Sequence, residues 1–339
     1  MIIAVDAMGG DKAPAEIIKG VIDAVNELDI HVNLVGREDV ILNELSAYKN
    51  YKKENITITN ADEVITGNDA PVTAIRKKKN SSMVVGLNLL KDRKVDAFLS
   101  AGNTGAFMAG CLLIVGRIKG TSRPALAPLI PSKNGAFVLI DAGSNSECDP
   151  INLLQFAVMG GVYAEKVLGV SRPRIGLVNI GEEEEKGNQL VKEAYKVLKN
   201  SKLNFIGNIE GRDLFSDKAD VVVCDGFTGN VILKTIEGVS ISIFDILKEE
   251  ISKKFTSKLG ALLMKSSFRS LKKRMDYTEH GGAPFLGIDG VCIKAHGSSN
   301  AKAIKNALRQ TKLFLEKNLL DDIKLKLYEI GADHVAEQN

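Results

Sequence analysis

The chain has 339 residues, a formal net charge of +3 and 45% hydrophobic residues, enough apolar material to bury a large core without disulfide or metal staples. With 5% aromatics and no Trp, that core reads as Val, Ile, Leu and Ala in parallel strands under covering helices. Cys111, Cys148, Cys224 and Cys292 stand far apart with no zinc spacing, which argues against a disulfide scaffold or zinc module and for reduced thiols in a cytoplasmic protein.

The N-terminal MIIAVDAMGGD carries an acid at position 6 and is too short an apolar run for a signal peptide. It places Asp6, Gly9, Gly10 and Asp11 between a strand and a helix whose first turn is marked by Pro14 and Glu16. Strands are predicted at 32–35 and 56–59. Residues 71–79 read as a short helix ending in Arg76, Lys77, Lys78 and Lys79, with Ser81 or Ser82 capping the next helix. Those cations complement the helix dipole or form a basic rim for an anionic substrate.

A buried strand at 95–99 runs through Ser100 into Gly102, Asn103, Thr104 and Gly105, and the polar residues and glycines of 97–116 keep that uncharged run from spanning a bilayer. A strand at 137–140 ends on Asp141 and continues through Gly143 to Asn145. Another at 175–180 leads through Asn179 and Gly181 into four glutamates, Lys186 and Gly187. Lys186 is either a surface cation or a phosphate ligand. A strand at 204–206 precedes the clearest unit, ADVVVCDGFTGNVILK. There the β-branched run Val221–Val223 ends at Asp225, and Gly226, Thr228 and Gly229 precede a helix opened by Asn230. Unpaired N–H groups and the positive dipole end at such a turn suit an anion. The bland alternative is that the glycines serve backbone freedom and close packing.

Residues 252–275 contain eight Lys or Arg and no acid, with Phe255, Leu259, Leu262, Leu263 and Leu271 at near-helical spacing. A protruding basic amphipathic helical hairpin over 231–275 is expected. Lys258, Leu259, Leu262, Leu263, Lys265, Arg269, Lys272 and Lys273 would then meet an anionic membrane surface, an acidic carrier protein or a second subunit. A last strand, Val291–Lys294, leads through His296, Gly297, Ser298 and Ser299 into a helix over 301–315. The serines cap that helix, or His296, kept neutral by its dipole, donates to an oxyanion.

Strands alternating with helices predict an α/β fold with a mainly parallel sheet and one domain over 1–339, open to a bilobed arrangement. Ligands of such sheets bind beyond the carboxyl ends of the strands, so the polar loops are expected to converge on one pocket. No Gly-x-Gly-x-x-Gly, Walker, Gly-x-Ser-x-Gly or His-Glu-x-x-His motif is present, which disfavours standard dehydrogenases, P-loop NTPases, α/β-hydrolases and zincins.

DAMGGD (6–11), SAGNTGA (100–106), DAGSN (141–145), NIGEEEEKGN (179–188), GNIEGRD (207–213), DGFTGNVILK (225–234), GGAPFLG (281–287) and AHGSS (295–299) together resemble the bacterial phosphate acyltransferase family of phospholipid synthesis, in family order over nearly the full length. The resemblance implies a three-layer α/β/α sandwich akin to isopropylmalate dehydrogenases and phosphotransacetylases. It also implies a homodimer without metal or cofactor, and transfer of a fatty acyl group from acyl carrier protein to inorganic phosphate; the charge and apolar spacing of 252–275 would attach the protein to the cytoplasmic face of the membrane, near the downstream membrane acyltransferase. The family's proposed catalytic lysine and asparagine fall on Lys186 and Asn230. Ser144 stands where the family pattern has Ala, and His280 where an aromatic is usual. The competing readings are acyl transfer from coenzyme A, as in phosphotransacetylases, and a non-enzymatic regulator that binds membrane or nucleic acid. Polar residues at so many strand ends speak against the regulator, and no nucleic-acid partner is expected.

Overall fold

Uninterrupted apolar runs can be strands only where both faces are covered, and the chain supplies that cover by alternating them with helices. The computed structural model describes residues 1–275 and 281–337; His280 lies outside the described residues. The first half contains β1 (Ile2–Asp6), α1 (Ala15–Glu27), β2 (His31–Gly36), α2 (Glu38–Ser46), β3 (Ile56–Asn60), α3 (Pro71–Lys77), α4 (Ser82–Lys91), β4 (Ala97–Ser100) and α5 (Thr104–Gly110). After these come β5 (Ala125–Leu126), β6 (Leu129–Pro131), β7 (Ala136–Ile140), α6 (Pro150–Tyr163), β8 (Ile175–Val178), α7 (Gln189–Lys199), β9 (Phe205–Ile209) and β10 (Val221–Val223). The chain continues with α8 (Gly226–Lys253), α9 (Phe255–Leu263), α10 (Lys265–Met275), β11 (Ala283–Leu286), β12 (Val291–Lys294), α11 (Ala301–Glu316) and α12 (Leu319–Glu337).

The expected α/β class with predominantly parallel pairing is observed, with the strands distributed over two sheets. One has the order β3-β2-β1-β4-β12-β11-β5 and the other β6-β7-β10-β8-β9. β1, β2, β3, β4 and β12 run parallel, as do β7, β10, β8 and β9. β11 and β6 are antiparallel to their neighbours. The short strands β5, β6 and β11 were not predicted: they run two to four residues, two contain proline, and none offers a long apolar run.

The segment 125–131 belongs to both sheets. Ala127 N–H donates to Pro284 O at 3.0 Å on one side, while Leu139 and Ala142 N–H donate to Pro128 O and Leu126 O at 3.1 and 2.9 Å on the other. Helix α6 is buried on every side from Asn152 to Tyr163, as an all-round apolar helix must be. Helix α8 is the opposite case. Its 28 residues span about 42 Å at 1.5 Å per residue, yet only Gly226 and Gly229 are buried, so most of it projects from the body. Lys254, in extended backbone, breaks it from α9. The protrusion is one long helix followed by two short ones.

Candidate active site between the two sheets

Two clusters of strand-end loops face each other. In the first, Asp6 ends β1 fully enclosed, 2% exposed. Burial raises its pKa, opposed by hydrogen bonds from Ser82, Ser100, Met8 and Gly9. Ser100 Oγ donates to Asp6 Oδ2 at 2.7 Å and itself accepts from Gly102 N–H at 3.0 Å. A Cβ on Gly9 would lie 2.4 Å from Asp6 Oδ2 and 2.8 Å from the Gly102 nitrogen, so this glycine permits loop-on-loop packing. Asp11 N–H donates to Gly297 O at 2.8 Å, tying in the loop after β12. Asn103 caps α5 by accepting from Ala106 N–H at 3.0 Å, and its amide donates to Thr66 O and Gly67 O. Asp6, Ser100 and Asn103 thus hold loops to one another.

The second cluster is built on Asp141, which is wholly buried at the end of β7. Its carboxylate accepts from the N–H groups of Leu126, Gly143, Ser144 and Asn145 at 3.0, 3.2, 3.0 and 2.8 Å, and from the Asn145 amide at 2.8 Å. Burial raises its pKa while these donors lower it. Asn145 also donates to Pro124 O at 2.7 Å. Asp225 caps α8, accepting from Thr228 N–H at 2.9 Å and Thr228 Oγ1 at 2.7 Å. A Cβ on Gly229 would sit 1.9 Å from Asp141 O. In this third glycine turn the packing role is dominant.

Between the clusters lies a cleft of about 540 Å³. One part is apolar, lined by Met108, Leu112, Leu126, Leu129, Ile130 and Leu233. The other is polar, lined by Thr104, Ser144, Asn230, Lys234, Lys294 and His296, with Gly105 and Gly143 beside them. Asn230 reaches the cleft because α8 begins where β10 ends and Gly143, at φ +128, turns beneath it. His296 is half-buried. Its Nδ1 lies 2.8 Å from Ser298 Oγ and accepts from Ser298 N–H at 3.2 Å, which assigns the ring proton to Nε2 in the neutral ring. Its pKa is lowered chiefly by burial, with Glu237 raising it and Lys234 and Lys294 lowering it. The serines do not cap α11. Asn300 does so, accepting from Ala303 N–H at 3.0 Å, and Ser298 is exposed.

Sequence reasoning missed Lys294. It ends the buried strand VCIK, is 7% exposed, donates from Nζ to Ala295 O and lines the cleft. Burial pulls its pKa down to about 8, against the attraction of Asp6 and Asp11. The available signal was a lysine in a run otherwise too apolar for a surface strand. Lys234, also missed, lines the cleft as part of an ion pair with Glu237 at 2.7 Å.

Lys186 is exposed on the β8–α7 loop and does not line the cleft. Asn179 holds that loop by donating to Lys186 O at 3.0 Å. The neighbouring glutamates are partly spent on surface ion pairs, Glu182 with Lys218 at 2.9 Å and Glu184 with Lys199 at 2.7 Å. The basic run after α3 is also partly structural. Lys78 pairs with Asp69 at 2.7 Å and holds that carboxyl down to about 2, and Ser81 caps α4. Lys258, Leu259, Leu262, Leu263, Lys265 and Arg269 are exposed on α9 and α10. The backbone of Lys272 and Lys273 continues α10. None of the six exposed residues lines the cleft. Among the described residues no helix is long and apolar enough to cross a membrane, and no group of three or more His, Cys, Asp or Glu is arranged to hold a metal ion.

The model of the family described as "Fatty acid synthesis protein" matches residues 1–321. The chain is 56% identical over 335 residues to a phosphate acyltransferase of Clostridium tetani, covering 98% of this chain and 100% of that one. A phosphate acyltransferase of Thermoanaerobacter pseudethanolicus is 56% identical over 334 residues, covering 98% and 99%. Among solved structures, a phosphotransacetylase from Streptococcus pyogenes superimposes with TM-score 0.59 at 18% identity, covering 92% and 93%. A branched-chain phosphotransacylase from Enterococcus faecalis does so with TM-score 0.56 at 13% identity, covering 92% and 98%; these two likenesses speak to the fold.

Proposed function

Since the chain belongs to the fatty acid synthesis protein family, with relatives at 56% identity over nearly its whole length that are phosphate acyltransferases, we propose that it transfers a fatty acyl group from the thioester of acyl carrier protein to inorganic phosphate, giving acyl-phosphate for phospholipid synthesis. The observation that carries this reading is the two-ended cleft. A wall of Met108, Leu112, Leu129, Ile130 and Leu233 suits an alkyl chain, and it leads to Asn230, Lys294 and His296, which suit an anion and a developing oxyanion. A thioester is already activated and phosphate is itself the nucleophile, so the protein's task is to position and neutralise.

A phosphate oxygen attacks the thioester carbonyl carbon. As the C–S bond breaks, the sulfur leaves as a thiol, taking the proton that the phosphate gives up. The Asn230 amide donates to the carbonyl oxygen as it becomes negative. Asp6, Ser100, Asn103, Asp141, Asn145 and Asp225 support the site by fixing the loops around it. The exposed Leu259, Leu262 and Leu263 with Lys258, Lys265 and Arg269 support peripheral attachment to the cytoplasmic face of an anionic membrane. The unpacked length of α8 supports a homodimer.

The test mixes pure protein, long-chain acyl carrier protein and phosphate, then traps acyl-phosphate with hydroxylamine; acyl-coenzyme A replaces the carrier in a second arm. Hydroxamate from the carrier thioester in preference to the coenzyme A thioester is expected. Hydroxamate from coenzyme A alone would replace the donor, and none from either would overturn the activity.

A further inference from the structure

Resting on the reading that this cleft joins an acyl thioester to phosphate, we propose that Lys294 is the cation against which the incoming phosphate binds. The strand that carries it explains why the residue is informative. β12 lies between β4 and β11 in the centre of the larger sheet, and all four of its residues are buried. In register Lys294 faces Ser100 of β4, while Ile293 belongs to the apolar core. A charged group there forfeits most of its hydration, a cost that persists only where a partner or a function compensates.

The protein compensates it incompletely. Among the described residues, Nζ donates to one carbonyl, that of Ala295, and no carboxylate approaches within the 4.0 Å of an ion pair. Of the two carboxylates that attract it, Asp6 and Asp11, Asp6 is engaged by Ser100 Oγ and the Met8 N–H. An ammonium has three donors, so at least one remains for whatever fills the cleft. The other cation in the lining, Lys234, is half-exposed and paired with Glu237 at 2.7 Å. His296 is held towards its neutral form. Lys186 is on a different loop, outside the cleft. Charge and burial therefore single out Lys294 as the group whose missing partner is an anion at the polar end. A phosphate dianion held there has Asn230 and the mouth of the apolar wall in the same cleft, as attack on a thioester carbonyl requires. Lys294 then stays with the same phosphate group in the acyl-phosphate product.

The experiment uses full-length protein and inorganic phosphate in two assays. Phosphate binding is measured by calorimetry without an acyl donor, and KM is measured for each substrate in the trapping assay. Lys294→Met and Lys294→Gln are expected to weaken phosphate about 10- to 100-fold, the usual scale of a lost charge-assisted hydrogen bond, with KM for the acyl thioester held within about twofold. Phosphate binding within about threefold of wild type in both Lys294 variants overturns the proposal. So does an equal loss of affinity for both substrates, or loss of the folded state in both variants, since either assigns Lys294 to the core. If phosphate binds in a Lys294-dependent way but no thioester yields hydroxamate, the acyl-transfer reading fails and the anion site stands.

Discussion

Replacing Lys294 with Met is expected to make the protein more stable while removing its grip on phosphate. The fall of the lysine from its ordinary 10.5 to about 8 in the folded chain, at about 1.4 kcal/mol for each tenfold change, makes the charged form about 3 kcal/mol harder to hold folded than unfolded. Met fills nearly the same volume without charge, and gives up the hydrogen bond to Ala295 O, worth about 1 kcal/mol. A net gain near 2 kcal/mol at pH 7 is expected. The pH dependence carries the signature. Below pH 8 both states hold the proton and the full penalty is present. Between about 8 and 10.5 the unfolded chain holds more protons at this position than the folded one, so wild-type stability rises with pH relative to the variant and the gap closes. The charged groups around the site, Asp6 and Asp11 on the first loop, Lys234 and Glu237 on α8, and His296, are common to both proteins and largely cancel in the difference. Urea midpoints of the two proteins at pH 7 to 10 supply the measurement. A variant less stable than wild type at pH 7, or a difference that does not change with pH, would refute the reasoning.

Asn230→Ala is expected to lower kcat by roughly 10² to 10³ with little change in binding, the scale of one lost oxyanion donor; a fall of tenfold or less in single-turnover trapping assigns the amide to α8 alone. Gly229→Ala must displace the Asp141 carbonyl, 1.9 Å from the added carbon. A loss of about 1–3 kcal/mol in urea denaturation is expected, and an unchanged midpoint contradicts the packing role. Leu262→Glu with Leu263→Glu is expected to release the protein from anionic vesicles while sparing soluble acyl transfer, because neither residue lines the cleft. Continued co-sedimentation together with lost transfer would place the segment in carrier docking or a subunit interface.

The central parallel strands were legible because each had to be covered on both faces: Val221–Val223 and Val291–Lys294 fall at their predicted limits. The division into two sheets was not, because it depends on short strands whose pairing is set by distant partners, Leu126 with Phe285 and Leu129 with Val138. Loop composition pointed to the candidate cleft but not to the part each residue plays in it. Asp, Asn and Thr beside glycine mark strand ends whether they meet a ligand or cap a helix. Asp141, Asp225 and Asn103 proved to be occupied by neighbouring donors and acceptors. Lys294, hidden in an apolar strand, gave no loop signal, while Lys186 stands in a polar loop that the sequence alone marks.

The segment 125–131 is stitched to both sheets and also furnishes Leu126, Leu129 and Ile130 to the cleft. One stretch of backbone is therefore at once a wall of the cleft and the tether between the two sheets. Separating the sheets about this stretch would stretch the hydrogen bonds donated by Ala127, Leu139 and Ala142 and reshape the cleft. The cleft wall and the join between the sheets cannot move independently, and those amides are expected to exchange their hydrogens on the timescale of whole-molecule unfolding rather than of local breathing.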